Sequence, residues 1–280
     1  MIKRNIIYTK LYKIQNLYLI ILIFGIAEHD KPNKRIKTQI KYIYIYMLLL
    51  FDVDGTLCNS GEIASSEMIQ ILTKLKNKYT LGIVGGGKYE KIKHQFSDKL
   101  YDIFTYVFTE SGIINYKNNI KIYEDDIRNK INITKINNIL LKYLCDLDLP
   151  IKTGTFIDLR RGLIYFTPIG QNCTTQDRSN FILLDKKNNI RQKIIKDLSK
   201  LLPELEIMSG GEIGLSISPK GWNKSFVLRF LKKEKNIIFF GDKIYPGGND
   251  YPLAIQKEIN KYHQVNNYNE TIQIILDKYL

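Results

Sequence analysis

A five-residue apolar run, Met47-Leu48-Leu49-Leu50-Phe51, leads without a break into Asp52-Val53-Asp54-Gly55-Thr56-Leu57. A run with no polar alternation reads as a strand buried on both faces, as in a parallel sheet covered by helices. That alone directs the chain toward an α/β architecture. The two carboxylates at i and i+2 fall just past the strand's carboxyl end, where open α/β sheets place their sites. One can attack as a nucleophile, and the other can exchange a proton with an entering or leaving hydroxyl. Gly55 lets the backbone turn away from the strand. Two acids this close repel each other unless a cation lies between them, and hard oxygen ligands suit Mg²⁺.

The pattern downstream supports the α/β reading. Ser65 and Ser66 precede Met68, Ile71, Leu72 and Leu75, which share one helical face. Leu81-Gly82-Ile83-Val84 predicts a second strand, closed by Gly85-Gly86-Gly87. A helix over about Tyr89–Phe96 and a strand at Tyr106-Val107-Phe108 follow. Strand and helix alternate, as in a doubly wound sheet. After about residue 119 the pattern changes. Thr155–Leu159 and Leu163–Thr167 flank Arg160-Arg161-Gly162 and predict a hairpin. Thr174, with Asp177 three residues on, predicts a helix start. A further helix over about Asn189–Leu202 and strands at Leu205–Met208 and Ile213–Ser218 complete an α+β layer. Asn236–Phe240 then returns to a buried parallel-type strand, and a helix over about Asn269–Leu280 ends the chain. The expected organisation is a core of 47–118 and 221–280 split by an inserted layer at 119–220.

A second polar cluster follows the late strand: Gly241-Asp242-Lys243-Ile244-Tyr245-Pro246-Gly247-Gly248-Asn249-Asp250. Parallel strands align their carboxyl ends, so Asp242 is expected beside Asp52 as a metal ligand. Asn249 and Asp250 are expected to orient it or to hold metal-bound water.

The 280 residues carry a net charge of +14, and residues 1–46 supply half of that excess. Lys and Arg elsewhere are mixed with Asp and Glu along helices, and no aromatic–basic interleaving marks a nucleic-acid module. No apolar run reaches the roughly 18 residues of a membrane span. Cys58, Cys145 and Cys173 are an odd set without close spacing, which argues against a disulfide framework or a zinc cluster and for a reducing, cytoplasmic setting. Within 1–46, basic residues, an apolar run from Leu17 to Ala27 and a charged stretch resemble the order of a signal peptide. A cytosolic enzyme starting at Met47 would nevertheless lack nothing. The stretch is read as a poorly ordered extension or a misassigned start.

Together, the two acidic motifs resemble those of the haloacid dehalogenase-like phosphotransferases. A closer resemblance is to the eukaryotic-type phosphomannomutases. It is carried by Leu50–Leu57, Gly82–Gly86, Tyr106–Gly112, Gly154–Ile157, Thr167–Gly170, Leu184–Lys193, Pro219–Lys224 and Phe239–Asp250, and it runs over roughly 48–280. The resemblance implies a Rossmann-like core with a parallel sheet and an α+β cap. It implies Mg²⁺ on Asp52, the Asp54 backbone carbonyl and Asp242, and a phosphoaspartate on Asp52. Asp54 would be the acid/base, and Lys224 would neutralise the transferring phosphate. Arg160 and Arg178 match cap positions that hold the distal phosphate of a phosphorylated hexose. A hexose 1,6-bisphosphate activator and intermediate, a feed into GDP-mannose synthesis and a homodimer through the caps are implied as well.

The departures from the family pattern fall mainly on the cap. The family expects Arg where this chain has Gly61 and Gln171. It expects Ser at Gly87, and Ser and Asp at Gly214 and Ser216 on the late cap strand. The cation loop after the second motif is not matched by Ala254 and Gln256. Each lost charge-assisted contact is worth about 1.5–3 kcal/mol; Lys88 and Arg161 are the neighbours placed to compensate. Weak retention of the distal phosphate would favour water as acceptor. A Mg²⁺-dependent sugar-phosphate phosphatase or bisphosphatase is therefore the alternative expectation, with a non-catalytic relative behind it.

Overall fold

The structure, a computed structural model, describes residues 47–280; the expectations for residues 1–46 lie outside the described residues. The strands are β1 (Met47–Phe51), β2 (Thr80–Val84), β3 (Tyr106–Thr109), β4 (Ile114–Lys117), β5 (Ile120–Glu124), β6 (Ile157–Leu159), β7 (Ile164–Phe166), β8 (Leu205–Gly210), β9 (Gly214–Pro219), β10 (Asn236–Gly241) and β11 (Ile259–Gln264). The α-helices are α1 (Ser66–Leu75), α2 (Tyr89–Phe96), α3 (Leu100–Ile103), α4 (Ile133–Asp146), α5 (Thr175–Asn188), α6 (Ile190–Leu201), α7 (Tyr251–Ala254) and α8 (Tyr268–Lys278).

Seven strands form one sheet in the order β11-β10-β1-β2-β3-β4-β5. The five from β11 to β3 run parallel, and β4 and β5 add an antiparallel hairpin at one edge. β1 lies between β10 and β2, and Leu48–Phe51 are fully buried, as the unbroken apolar run requires. Alternate side chains feed opposite faces. Leu49, Phe51, Ile83 and Phe240 pack under α1, α2 and α8, while Leu48, Leu50, Val84 and Phe239 pack with Val227, Leu231 and α7. The Ser65 hydroxyl caps α1 by accepting from the Met68 amide at 3.1 Å, and the buried face is Met68, Ile71, Leu72 and Leu75, as their spacing predicts.

The second layer is a four-stranded antiparallel sheet, β6-β7-β9-β8. Ile136, Leu140 and Leu144 of α4, with Ile194 and Leu198 of α6, bury against Phe166, Leu205, Ile207, Leu215 and Ile217. The expected hairpin around Arg160-Arg161-Gly162 is present as β6 and β7. Thr174 and Asp177 form a reciprocal capping box on α5, and Asn189, in the left-handed region at φ 52°, separates α5 from α6.

The sequence reading and the structure differ in several elements. The expected boundary at 119 places residues 120–124 in the inserted layer, yet β5 pairs with β4 in the large sheet, so a break at 119 falls inside a hairpin. β5 had no legible strand signal because it is an edge strand with Ile120 and Ile122 exposed. β4, α3, α4, α7 and β11 have no counterpart among the expected elements. β11 buries only Ile259 and His263 of six residues, which leaves little pattern to see.

Candidate active site

Asp52 leaves β1 with its amide still donating to the Phe240 carbonyl at 2.8 Å, so the end of the sheet fixes its position. The residue is 4% exposed. Gly55 turns the chain at φ +90°, and a Cβ there would lie 2.6 Å from Asp242 Oδ2. Glycine is therefore required both for the turn and for the approach of the two motifs. Gly241, at the end of β10, plays the same part for Asp250: a Cβ would come within 2.7 Å of its Oδ2.

Lys224 opens the short 3-10 segment Lys224–Phe230 and is completely buried. Its ammonium donates to Asp52 Oδ1 and, at 2.5 Å, to Asp250 Oδ1. Asp250 also accepts from the Lys243 amide at 2.9 Å, and Lys243 pairs with Asp242 Oδ2. Burial pushes the Asp52 carboxyl up to about 7; Lys224 opposes the rise, and Asp250 and Asp242 add to it. Burial works against the Lys224 charge, but Asp250 and Asp52 outweigh it and keep the ammonium well above its ordinary range. Asp250 is likewise opposed by burial, yet Lys224 and the Lys243 amide hold it below the usual carboxylate range. Asp242 is raised by burial despite Lys243.

One carboxylate oxygen from each of Asp52, Asp242 and Asp250 lies within 4.8 Å of the others. Asp242 Oδ1 and Asn249 Oδ1 are buried without a hydrogen-bond partner. Three carboxylates face two ammonium groups here, so the cluster remains one positive charge short. An anionic set of hard oxygens with an unsatisfied donor atom fits Mg²⁺. Asp250, expected to orient Asp242 or to hold metal-bound water, lies within this cluster, while the expected contribution of Asp54 is its backbone carbonyl and not its carboxylate.

Asp54 is bound on three sides. The Gly61 amide and Gln95 Nε2 donate to Oδ1 at 3.0 and 2.8 Å, and Lys91 pairs with Oδ2. Burial would raise this carboxyl, but Lys91, Gly61 and Gln95 together hold it below its ordinary range. The sequence motifs do not single out Lys91 or Gln95. Their signal was there: they sit four apart on α2, on the side that follows the glycine turn. The Gly61 departure also has a local reason, since φ is +80° and its amide serves Asp54.

Above these residues, a cleft of about 860 Å³ opens toward the second layer and includes Arg160, Gln171, Arg178 and Ser216 in its lining. Arg160 Nε donates to Asp158 Oδ2 at 2.9 Å and Nη1 to the Gly86 carbonyl at 3.0 Å, so one guanidinium spans both layers. Lys88, also at the cleft, pairs with Asp158 at 2.9 Å. Arg178 lies 3.5 Å from Glu212. Gln171 Nε2 is buried without a partner, a donor free for an incoming group. Ser216 Oγ donates to the Met208 carbonyl at 3.4 Å. Gly214 is buried beneath the Tyr165 ring. Arg161 instead binds Glu124 at 2.6 Å at the sheet edge and is not among the residues lining the cleft.

A buried acidic cluster lies across one cleft from Arg160 and Arg178, and comparison with known proteins gives this arrangement a lineage. The family model described as eukaryotic phosphomannomutase matches residues 68–279. Phosphomannomutase 2 of Dictyostelium discoideum is 37% identical over 237 residues, covering 82% of this chain and 95% of the relative. The chain belongs to the eukaryotic phosphomannomutase family. The phosphomannomutase of Triticum aestivum is also 37% identical, over 81% of this chain and 93% of its own length. Among solved structures, a haloacid dehalogenase-like hydrolase from Bacteroides thetaiotaomicron covers 82% of this chain and 99% of its own, with a TM-score of 0.50 and 15% identity. That likeness concerns the fold and agrees with a Rossmann-like core carrying an inserted cap.

Proposed function

We propose that this member of the family interconverts mannose 6-phosphate and mannose 1-phosphate. The observation that carries the reading is the buried Asp52–Lys224–Asp250 chain, with Asp242 beside it, at the end of the sheet below the Arg160 and Arg178 cleft. Lys224 holds Asp52 Oδ1, and among the described residues Oδ2 accepts a hydrogen bond only from Thr56 Oγ1, at 3.4 Å, so Oδ2 is the oxygen left to attack phosphorus. Lys224 then neutralises charge that develops in the in-line transfer. Asp54, ionised and close by, accepts the proton of the sugar hydroxyl when that hydroxyl attacks the phosphoaspartate, and returns a proton in the reverse step.

Asp52, Asp242 and Asp250 would hold Mg²⁺, with the Asp54 carbonyl as a further oxygen donor. Bound there, the ion supplies positive charge to the phosphoryl oxygens. A hexose 1,6-bisphosphate serves as intermediate and activator, turning between the two transfers. Arg160, Arg178 and the unpartnered Gln171 donor retain its distal phosphate, with Ser216 at the sugar's side. Gly214 gives no side chain to that contact. The activity would feed GDP-mannose synthesis in the cytoplasm, and a homodimer through the cap layers is part of the same reading. Among the described residues no helix is long and apolar enough to cross a membrane.

A paired assay tests this function. Protein, Mg²⁺, mannose 1-phosphate and a trace of hexose 1,6-bisphosphate are combined, and mannose 6-phosphate and free phosphate are read separately. Mannose 6-phosphate in large excess is the expected result. A dominant release of free phosphate would replace the mutase reading with a phosphatase.

A further inference from the structure

Tyr165 occupies a place in the cleft that exists only because its neighbours lack side chains. It lies on β7 opposite Ser216 of β9. A Cβ added at Gly214 would sit 2.3 Å from its Cζ, and one at Gly211 would sit 2.8 Å from its hydroxyl oxygen. At Gly210 the distance to Cε2 would be 3.2 Å. The phenol closes the arrangement by donating to the Gly210 carbonyl at 3.1 Å. The ring is thus seated on three glycines around the β8–β9 turn. The Arg160 guanidinium lies 4.6 Å from its centroid.

Arg160 is therefore held by three separate contacts: Asp158 at Nε, the Gly86 carbonyl at Nη1 and the Tyr165 ring. Two of its N–H groups are committed to the protein, and the rest of the fork stays available to an anion. A long side chain immobilised before the ligand arrives loses less rotamer freedom on binding, so its charge is used more fully. The neutral Gln171 and the glutamate-paired Arg178 make this preorganisation matter more, since Arg160 carries more of the cleft's hold on a distal phosphate.

We propose that Tyr165 is a positioning residue for phosphohexose binding. Its ring, seated on Gly210 and Gly214, orients Arg160 into the cleft and sets how firmly the distal phosphate is held. The proposal rests on the phosphohexose reading given above. Gly214 is part of the same device, because its missing side chain is what admits the ring.

The test is a coupling experiment on the full chain with mannose 1-phosphate and hexose 1,6-bisphosphate as probes. Tyr165→Phe keeps the ring and should leave KM for both within about twofold. Tyr165→Leu removes the π face and should raise KM by roughly 5- to 30-fold, the range of a partly desolvated cation–π contact, with a much smaller change in kcat. In an Arg160→Ala background the Tyr165→Leu change should have no further effect, because Tyr165 acts through Arg160. Gly214→Ala pushes on the ring from the opposite side and gives a second route if Tyr165→Leu folds poorly. It should raise KM in the wild type and leave KM unchanged in the Arg160→Ala background. Additive losses in the Arg160→Ala background, or equal KM values for Leu and wild type, overturn the positioning role. A wild type that neither binds nor turns over these esters fails the underlying functional reading instead, and the proposal falls with it.

Discussion

Replacing Lys224 by Met removes the cation that lies between Asp52 and Asp250 while keeping most of the side-chain volume. The site is fully buried, so no water takes the place of the ammonium. The acidic oxygens gathered there lie within 4.8 Å of one another. At that separation two unit charges repel by about 3.5 kcal/mol at an effective dielectric of about 20. Breaking a buried ion pair by deleting one partner costs about 3–5 kcal/mol, which agrees in size. For a folded unit of this length each kcal/mol corresponds to roughly 2–4 °C, so the metal-free variant should melt roughly 6–20 °C below wild type. Added Mg²⁺ restores positive charge to the same carboxylates, and its stabilising shift should be larger in the variant than in wild type. Turnover should still fall by roughly 100-fold or more, because the charge aimed at the transferring phosphoryl is gone. Differential scanning fluorimetry with and without Mg²⁺, together with steady-state kinetics, reads all three quantities. A variant that melts within about 3 °C of wild type without metal and keeps most of its kcat would refute the argument that Lys224 neutralises this cluster.

Other outcomes follow from the same geometry. Gly55→Ala places a Cβ 2.6 Å from Asp242 Oδ2 at a backbone φ of +90°, so the Mg²⁺-dependent thermal shift should shrink by more than half, as fluorimetry would read. Asp54→Asn leaves the fold's contacts nearly isosteric but removes the proton acceptor; kcat should drop by roughly 100- to 10,000-fold while KM moves only a few fold in initial-rate assays. His263, buried against Phe240 with Nε2 2.8 Å from the Tyr279 hydroxyl oxygen, is held down at about 4 by burial and by Lys261 and Lys278. Because the folded protein favours the neutral ring, stability is complete above the unfolded value of about 6.5 and is lost as pH falls from there toward 4. The loss comes to about 2 kcal/mol at pH 5, and His263→Gln should flatten that part of a Tm-against-pH curve.

The parts of the fold that were legible in the sequence are those where one physical constraint acts alone. β1 is buried on both faces, so its apolar run was unambiguous, and the Thr174–Asp177 capping box declares a helix start locally. β5 and β11 are hard to read because each is an edge strand that buries few of its side chains, which leaves little apolar alternation to see. In the site, Asp52 and Asp242 stand out through their motifs and Lys224 through the family resemblance, and the pairing of β1 with β10 brings the two acids together. Asp250 enters the cluster because Gly241 leaves room for it, a consequence of packing that no local spacing states. The roles of Lys91, Gln95 and Tyr165 depend on which way a helix face or a strand face points across the cleft, so they became visible only with the layers in place.

The claim on which the whole account rests is that Asp52 carries the phosphoryl group. Its most direct test is to trap that group. Protein with Mg²⁺ is mixed with hexose 1,6-bisphosphate labelled in its phosphates, quenched in acid and mapped by peptide. The account predicts an acid-stable, hydroxylamine-sensitive label on the peptide containing Asp52, and none in Asp52→Asn. Label on another residue, or continued turnover by Asp52→Asn, would contradict it.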